Sequence, residues 1–323
     1  MGRIALHDAE QNTKYSNLAL LKLAAYHKIK GDSVESYVPL FADQYDIVYS
    51  SKIFTFKKSN KPTGNVKFGG TGYNLWNTLP DEIEHLCPEY TLHPFEYSLG
   101  FLTRGCPNNC KWCIVPKKEG DIRSHADIGE FLRHKNVVLM DNNVLASDHG
   151  ISQIEKLSKL GVKVDFNQGL DARLIDHGIA KRLAALKWLS PIRLACDTDA
   201  QMKHILKAVR LLRWHNARPA RYFVYCLMKG TVEEIMERVQ FLKGLYLEPF
   251  IQPFISFDGV DVRTKEQRSF ARWVNHTAVF NSVLWEEYKP TKKENKPKYG
   301  LLPQEYIEKH CKLSEEPLIP LTE

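Results

Sequence analysis

The chain has 323 residues, of which 43% are hydrophobic and 26% charged, and its formal net charge is +7. These values are ordinary for a globular protein, and no apolar run approaches the ~20 residues of a membrane-spanning helix. The length exceeds that of a usual single core, so we expect two domains or one large α/β domain. The mild positive charge permits a polyanionic partner without requiring one.

The cysteines indicate the compartment. Four of the seven lie singly in the sequence, as Cys87, Cys196, Cys226 and Cys311, and form no paired framework. The chain begins Met-Gly-Arg-Ile, without the apolar stretch of a signal peptide. We therefore expect a reducing, cytoplasmic setting and no membrane partner.

Residues 1–94 predict a Rossmann-like domain. Residues 17–30 carry apolar positions at helical spacing, and Gly31 is expected to end that helix. Three short apolar segments predict strands, at residues 3–7, 33–38 and 46–50. A strand–helix–strand order of this kind favours a parallel sheet.

The rest of this domain is predicted in less detail. The glycine-rich stretch 69–73 either approaches a ligand or forms a plain turn. Residues 79–86 predict a short helix, and residues 87–94 predict a linker.

Residues 95–258 repeat one pattern, an apolar strand, a polar loop and usually a helix, six times. The predicted strands are 97–103, 136–140, 162–166, 192–195, 222–227 and 250–254. The predicted helices between them are 152–160, 179–189, 200–214 and 232–245. Thr231 and Glu234 resemble a capping box at the start of the last of these. The alternation favours parallel strands, and six units predict a partial (β/α)6 barrel rather than the full eight.

Residues 259–323 predict a helical extension. Residues 264–288 read as one long amphipathic helix that either packs on the sheet or caps the barrel, and residues 289–299 are a basic low-complexity segment. The predicted fold class is therefore α/β, with domains at residues 1–94, 95–258 and 259–323.

The most informative motif holds three cysteines, Cys106, Cys110 and Cys113, within eight residues. Thiolate sulfur selects iron–sulfur clusters or zinc. A closed cluster or a structural zinc site takes four protein ligands, whereas three ligands leave one metal position open to a substrate or cofactor.

Polar residues follow the predicted strands of the repeat. The residues Asp141-Asn142-Asn143, Gln168, Asp171 and Asp197 all come at the same end of successive strands. Side chains at the carboxyl ends of parallel strands point into one shared mouth, which predicts a binding site there.

Three features together resemble the radical S-adenosylmethionine (SAM) superfamily. They are the Cys-x3-Cys-x2-Cys spacing, the aromatic Trp112 before the third cysteine and the strand that leads into the loop. The resemblance covers about residues 97–257. It implies a 4Fe–4S cluster on Cys106, Cys110 and Cys113, with SAM chelating the fourth iron. It also implies a one-electron donor of the flavodoxin or ferredoxin type, and a 5′-deoxyadenosyl radical that abstracts hydrogen from a substrate.

The resemblance also implies roles for the polar strand ends. The candidates that would contact the SAM amino group are Asp141, Asn142 and Asn143, although the usual Gly-Gly-Glu pattern is absent. The candidates for the ribose hydroxyls and the carboxylate of SAM are Gln168, Asp171, Arg173, Arg193 and Asp197. Trp112 completes the cofactor-binding candidates.

The amino-terminal domain resembles the cobalamin-binding-like domain that precedes many radical SAM domains. The cobalt-ligating pattern Asp-x-His-x-x-Gly is missing, since Asp8 is followed by Ala-Glu-Gln-Asn-Thr. We expect no cobalamin, and the domain then becomes a platform for a substrate or partner. A cobalamin-dependent radical SAM methyltransferase is the runner-up within the enzyme class.

A third hypothesis is a metal-stabilised nucleic-acid-binding protein that uses the basic helix and tail, with a fourth ligand near the cysteines. A peptide, a nucleic-acid base and a small metabolite all remain open as the substrate of an enzyme.

Overall fold

The computed structural model describes residues 1–10, 15–217 and 222–290. Cys311 and nearly all of the predicted basic segment lie outside the described residues. The described chain divides into two compact units. Unit 1 comprises residues 1–168, 185–189 and 255–261, and unit 2 comprises residues 169–184, 190–254 and 262–290. The domain boundaries at residues 94 and 258 stay predictions.

The strands are mostly short. Those of the described residues are β1 (Arg3–Asp8), β2 (Ser33–Ser36), β3 (Ile47–Ser51), β4 (Val66–Gly69), β5 (Ser98–Gly100), β6 (Thr103–Arg104), β7 (Arg123–Ser124), β8 (Asn136–Leu139), β9 (Lys163–Phe166), β10 (Lys187–Trp188), β11 (Ile192–Ala195), β12 (Tyr222–Met228) and β13 (Glu248–Pro253).

The α-helices of the described residues are α1 (Leu18–Ile29), α2 (Asp81–Glu84), α3 (Val115–Lys118), α4 (Ile128–Phe131), α5 (Asp148–Leu160), α6 (His177–Ala184), α7 (Met202–Trp214), α8 (Val232–Gly244), α9 (Lys265–Asn275) and α10 (Thr277–Ser282). Short 3-10 turns lie between several of them.

The amino-terminal sheet of unit 1 is parallel, with the strand order β2-β1-β3-β4. The apolar residues Ile4, Ala5 and Val48 of its central strands are buried. Helix α1 begins after Asn17, whose side chain accepts the Leu20 N–H, and ends before Gly31 at φ +81°. The predicted strands, helix and glycine stop of this region are confirmed, with small changes of boundary.

A second parallel sheet in unit 1 has the order β10-β9-β8-β5. Its strand β10 corrects the predicted helix 179–189, because helix α6 ends at Ala184. Lys187 and Trp188 instead pair with β9, and the Trp188 ring packs against Phe166 at 5.8 Å.

The sheet of unit 2 is parallel, with the order β11-β12-β13. Helices α7 and α8 lie close to the predicted ranges. Helix α8 begins at Thr231, whose hydroxyl accepts the Glu234 N–H at 3.4 Å.

The predicted long helix 264–288 is wrong as a single element. It is divided into α9, α10 and a 3-10 turn at Trp285–Glu287. His276 has a non-helical backbone (φ −102°, ψ 88°), and its ring accepts the Val279 N–H that begins α10. Packing on the sheet is confirmed, because the Asn275 amide exchanges hydrogen bonds with the Ile251 backbone of β13 at 2.7 and 2.9 Å.

The fold is mixed α/β with parallel sheets, as predicted, and all six strands of the predicted repeat are present. Within the described ranges, helices with the length and apolar character needed for a bilayer crossing are absent.

Candidate functional site

The cysteine loop, residues 105–122, is closed by a two-stranded antiparallel ribbon. Strand β6 pairs with β7 at Thr103–Ser124 and Arg104–Arg123. Gly105 begins the loop at φ +80°, and a Cβ there would lie 2.1 Å from the Asp121 carbonyl oxygen. Only glycine therefore fits this position, which joins the strand to the three-cysteine motif.

Side-chain amides surround the first sulfur. Asn108 Nδ2 lies 3.5 Å and Asn143 Nδ2 lies 3.6 Å from Cys106 Sγ, both as donors. The Cys113 N–H donates to the Cys110 carbonyl at 2.9 Å, which folds the second half of the motif into a tight turn. Cys106 and Cys110 are half-buried and Cys113 is exposed. Two side-chain amides thus face the Cys106 sulfur.

The residue types fit a soft-metal cluster. The six described cysteines are thiols rather than disulfides. Among the described residues, no three His, Cys, Asp or Glu side chains already converge on one metal position. Binding a cluster at this loop therefore requires the three thiols to close around it.

Glu119 holds both ends of the cysteine loop together. Its carboxylate accepts the Gly105 N–H at 3.0 Å, Arg104 Nη1 at 3.1 Å and Asn142 Nδ2 at 2.9 Å. The Glu119 side chain is 15% exposed. These bonds tie helix α3, the ribbon and the end of β8 to one carboxylate.

Arg104 connects that carboxylate to a second one. Its Nη2 lies 2.8 Å from Glu84, which also contacts Lys22 Nζ at 3.1 Å and His125 Nε2 at 3.2 Å. Burial opposes the charge of Glu84, but the hydrogen bond from His125 and the charges of Lys22 and Arg104 outweigh it and hold its pKa far below the usual range. Burial lowers the pKa of Lys22, and Glu84 partly offsets this shift. The network fixes the strand that enters the cysteine loop.

Asp141 lies at the end of β8, as predicted, but its carboxylate faces the backbone of Leu102 and Thr103, just before the cysteine loop. It accepts the Leu102 N–H at 3.1 Å, the Thr103 N–H at 2.6 Å and Thr103 Oγ1 at 2.7 Å. The residue is 5% exposed. Burial raises the pKa of Asp141, against three hydrogen bonds that favour the charged form. These contacts make Asp141 a residue that positions the segment leading into the cysteine loop.

The other candidates of unit 1 lie near the loop or at a strand end. Asn142 is bound to Glu119, and Asn143, which is buried, approaches Cys106 Sγ. Trp112 is half-buried within the loop, and Gln168 is exposed after β9. The structure thus brings Asn143 to the cysteines.

The candidates of unit 2 have close partners of their own. Arg173 forms a bidentate pair with Asp171 at 2.8 and 2.7 Å. Arg193 is buried and donates to Ser190 Oγ at 3.1 Å. Asp197 accepts the Leu227 N–H at 2.9 Å, and burial raises its pKa. Asp171 and Arg173 are the pair that the structure brings together here.

Two cysteines outside the motif are buried in unit 2. Ala195 of β11 pairs with Tyr225 of β12, and Cys196 and Cys226 are the residues that come directly after them. Both cysteines are fully buried. Burial raises the pKa of Cys196 to about 12 and that of Cys226 further above its usual range. These thiols are therefore core residues with little thiolate character.

His7 lies within β1, as expected. Its Nδ1 is 3.0 Å from Ser50 Oγ, and burial lowers its pKa. Residues 11–14 of the following loop lie outside the described residues, so the prediction on cobalamin stays open.

Sequence reasoning missed Glu119 and Glu84. Each lies in a charged stretch beside other acidic residues, and no spacing distinguishes it from them. Their role depends on Arg104, which is brought to both by the fold.

The chain matches no protein-family model and no curated protein sequence. The structure alone defines the class, a mixed α/β protein with parallel sheets and a three-cysteine loop.

Proposed function

We propose that this protein is a radical SAM enzyme. The observation that carries the proposal is the three-cysteine loop, which follows the parallel strand β5 and the short ribbon strand β6, and which holds amide donors against Cys106. The six predicted strands of the repeat are present and pair in parallel, three of them in unit 1 and three in unit 2, and the partial (β/α)6 barrel is part of this proposal. The resemblance of the motif to the superfamily supports the same assignment.

In this proposal Cys106, Cys110 and Cys113 hold a 4Fe–4S cluster. A cluster held by these three cysteines would leave one iron open to SAM and would supply one-electron reductive chemistry at the sulfonium, with the electron coming from the donor protein. Asn108 and Asn143 donate hydrogen bonds to a cluster sulfur ligand, which raises the reduction potential of the site. Glu119 and Asp141 keep the loop in register with β8.

The proposed SAM contacts follow from chemistry as well as position. Amide side chains of Asn142, Asn143 and Gln168 can accept from an ammonium and donate to a carboxylate. Arg193 and the Asp171–Arg173 pair offer a guanidinium for the carboxylate and an acid for ribose hydroxyls. A flavodoxin- or ferredoxin-type protein is the proposed electron donor.

Anaerobic reconstitution with iron and sulfide tests the metal centre without any activity assay. We expect about four irons and four sulfides per chain with a broad visible absorbance band. Replacing Cys106, Cys110 or Cys113 by alanine should abolish this band, whereas Cys87→Ala should retain it. A colourless protein that takes up zinc instead would overturn the proposal and favour the metal-stabilised nucleic-acid-binding hypothesis.

The runner-up, a cobalamin-dependent methyltransferase, is tested separately. Protein purified after growth with the vitamin should show no hydroxocobalamin absorbance if the amino-terminal domain is a platform, as we propose. The absorbance spectrum of a bound corrinoid would contradict the platform assignment and support the cobalamin-dependent methyltransferase.

A further inference from the structure

Residues 47–80 carry five lysines and no acidic residue, together with six aromatic residues. They span β3, β4 and the loops at the carboxyl ends of both strands. Three phenylalanine rings of this segment are exposed, Phe54 at 42%, Phe56 at 42% and Phe68 at 46%. Exposed apolar residues scattered singly are normal, but neighbouring exposed rings such as Phe54 and Phe56, 5.4 Å apart, are typical of an interaction surface.

The loops that carry these side chains lie side by side. The Lys52 N–H donates to the Gly69 carbonyl at 3.0 Å, and the Gly72 N–H donates to the Lys52 carbonyl at 2.8 Å. A Cβ on Gly70 would lie 2.3 Å from Lys52 O, which explains the glycines by close packing. We call the resulting surface the aromatic–basic face, and it consists of Lys52, Phe54, Phe56, Lys57 and Phe68, whereas Lys67, the neighbour of Phe68 in β4, points to the other face of the sheet.

The face is held in place by its backbone. The Glu10 carboxylate, which is buried, accepts the Ile53 and Phe54 N–H groups at 3.2 and 2.7 Å. Thr55 Oγ1 donates to the Phe257 carbonyl at 2.7 Å. The nearby acid Asp258 accepts the Val260 N–H. Rings fixed in this way lose little conformational entropy when a ligand stacks on them.

Lysine ammonium groups lie beside the rings. Lys57 Nζ is 4.8 Å from the centroid of Phe54, whose ring is 5.4 Å from that of Phe56. Lys52 Nζ is 6.0 Å from the centroid of the Tyr73 ring. Alternating rings and cations suit a ligand with flat bases and regularly spaced phosphates.

A cavity of about 180 Å³ adjoins the face, and its lining is mixed, with Leu20, Leu23 and Leu79 on its apolar side. Lys67 and Phe68 line it, and hydrogen-bonding groups come from Ser50, Ser51, Asn77 and Thr78. The volume is below the roughly 300–1,000 Å³ of sites for drug-sized ligands, so it suits one base rather than a whole dinucleotide. Hydroxyl and amide groups beside a stacking ring favour a nucleobase over a lipid tail.

We propose that the aromatic–basic face binds an unpaired polynucleotide strand. Its bases stack on Phe54, Phe56 and Phe68, and its phosphates lie near the lysines. The proposal does not depend on the cluster, so it can stand if the radical SAM assignment fails.

Fluorescence anisotropy with the full-length protein tests this. The probes are labelled oligothymidine and oligouridine of about 12 nucleotides, within the span of a typical single-strand site, and a duplex of equal length. Phe54→Ala combined with Phe56→Ala should weaken single-strand binding roughly 5- to 150-fold for each stacked base lost. Phe68→Ala serves as an independent variant if the double variant does not fold.

The contribution of the lysines is tested by the dependence of the binding affinity on salt concentration. Replacing Lys52 and Lys57 by glutamine should reduce the slope of log affinity against log salt by roughly 1.4, since each phosphate contact contributes about 0.7 for a single strand. Lys181→Gln with Lys203→Gln removes the same charge from exposed positions of unit 2 and should leave the slope nearly unchanged.

Tight binding of either single strand, lost in the ring variants, supports the proposal. Equal binding of the duplex, or unchanged affinity in the Phe54/Phe56 variant, overturns it. Capture of the protein by phosphatidylserine vesicles without oligonucleotide binding also overturns it, and assigns the face to a membrane surface.

Discussion

Replacing Glu119 by glutamine tests whether one carboxylate holds the base of the cysteine loop. All three of its partners, Gly105 N–H, Arg104 Nη1 and Asn142 Nδ2, are hydrogen-bond donors. A glutamine offers a single oxygen to them and turns its own NH2 group toward at least one donor. Because the side chain is only 15% exposed, water replaces little of what is lost.

The magnitude follows from these contacts. A hydrogen bond to a charged group contributes about 1.5–3 kcal/mol, and a buried donor without an acceptor costs about 1–3 kcal/mol. We expect Glu119→Gln to lower the free energy of unfolding by about 2–4 kcal/mol, part of the loss being offset by the remaining oxygen. Urea unfolding of the reduced protein, followed by tryptophan fluorescence, measures this change.

The matched control is Glu82→Gln, the same chemical change at an exposed position of α2. It should alter the free energy of unfolding by less than about 0.5 kcal/mol. In Glu119→Gln, alkylation of Cys106 in the folded protein should also become faster as the loop opens. A Glu119→Gln stability indistinguishable from that of the control would refute the role given to this carboxylate.

Three further predictions concern the same region and the core. Glu84→Gln should lower stability at pH 7 by about 3–5 kcal/mol, because buried cations lose their charged partner. The folded pKa of Glu84 is depressed, so its contribution is present above pH 4.5 and is lost as the pH falls below that value. Urea unfolding should therefore show the stabilities of the two proteins converging in acid. Gly105→Ala should destabilise far more than Gly120→Ala in thermal unfolding, since both have positive φ but only Gly105 has a backbone atom in the way; equal losses would contradict this. Peptide mapping after brief alkylation at pH 8 should find Cys113 labelled and Cys196 protected until urea is added, and early labelling of Cys196 would contradict its burial.

Much of the fold could be predicted because its strands carry local signals. The apolar bodies of β8, β11 and β12, each followed by polar turn residues, were enough to place the strands. Strand β10 and the ribbon of β6 with β7 have only two residues in each strand, and their pairing is decided by distant partners. The break at His276 was missed because the apolar spacing continues through it.

The candidate site was predictable by position and not by side-chain direction. The cysteine loop and the strand-end residues follow from spacing. Nothing in the sequence indicates that the Asp141 carboxylate faces Leu102 and Thr103. Its direction depends on the backbone N–H groups of these two residues, which are distant in sequence and are brought close by the fold. Glu119 was missed for the same reason.

Reductive cleavage of SAM tests the central proposal most directly. The reconstituted protein, reduced with dithionite under anaerobic conditions and given SAM, should form 5′-deoxyadenosine, measured by liquid chromatography and mass spectrometry. Cys87→Ala should behave as the unaltered protein does, and Cys106→Ala, Cys110→Ala and Cys113→Ala should form none. Iron-loaded protein that leaves SAM intact, or a Cys106→Ala variant that cleaves it equally well, would contradict the account.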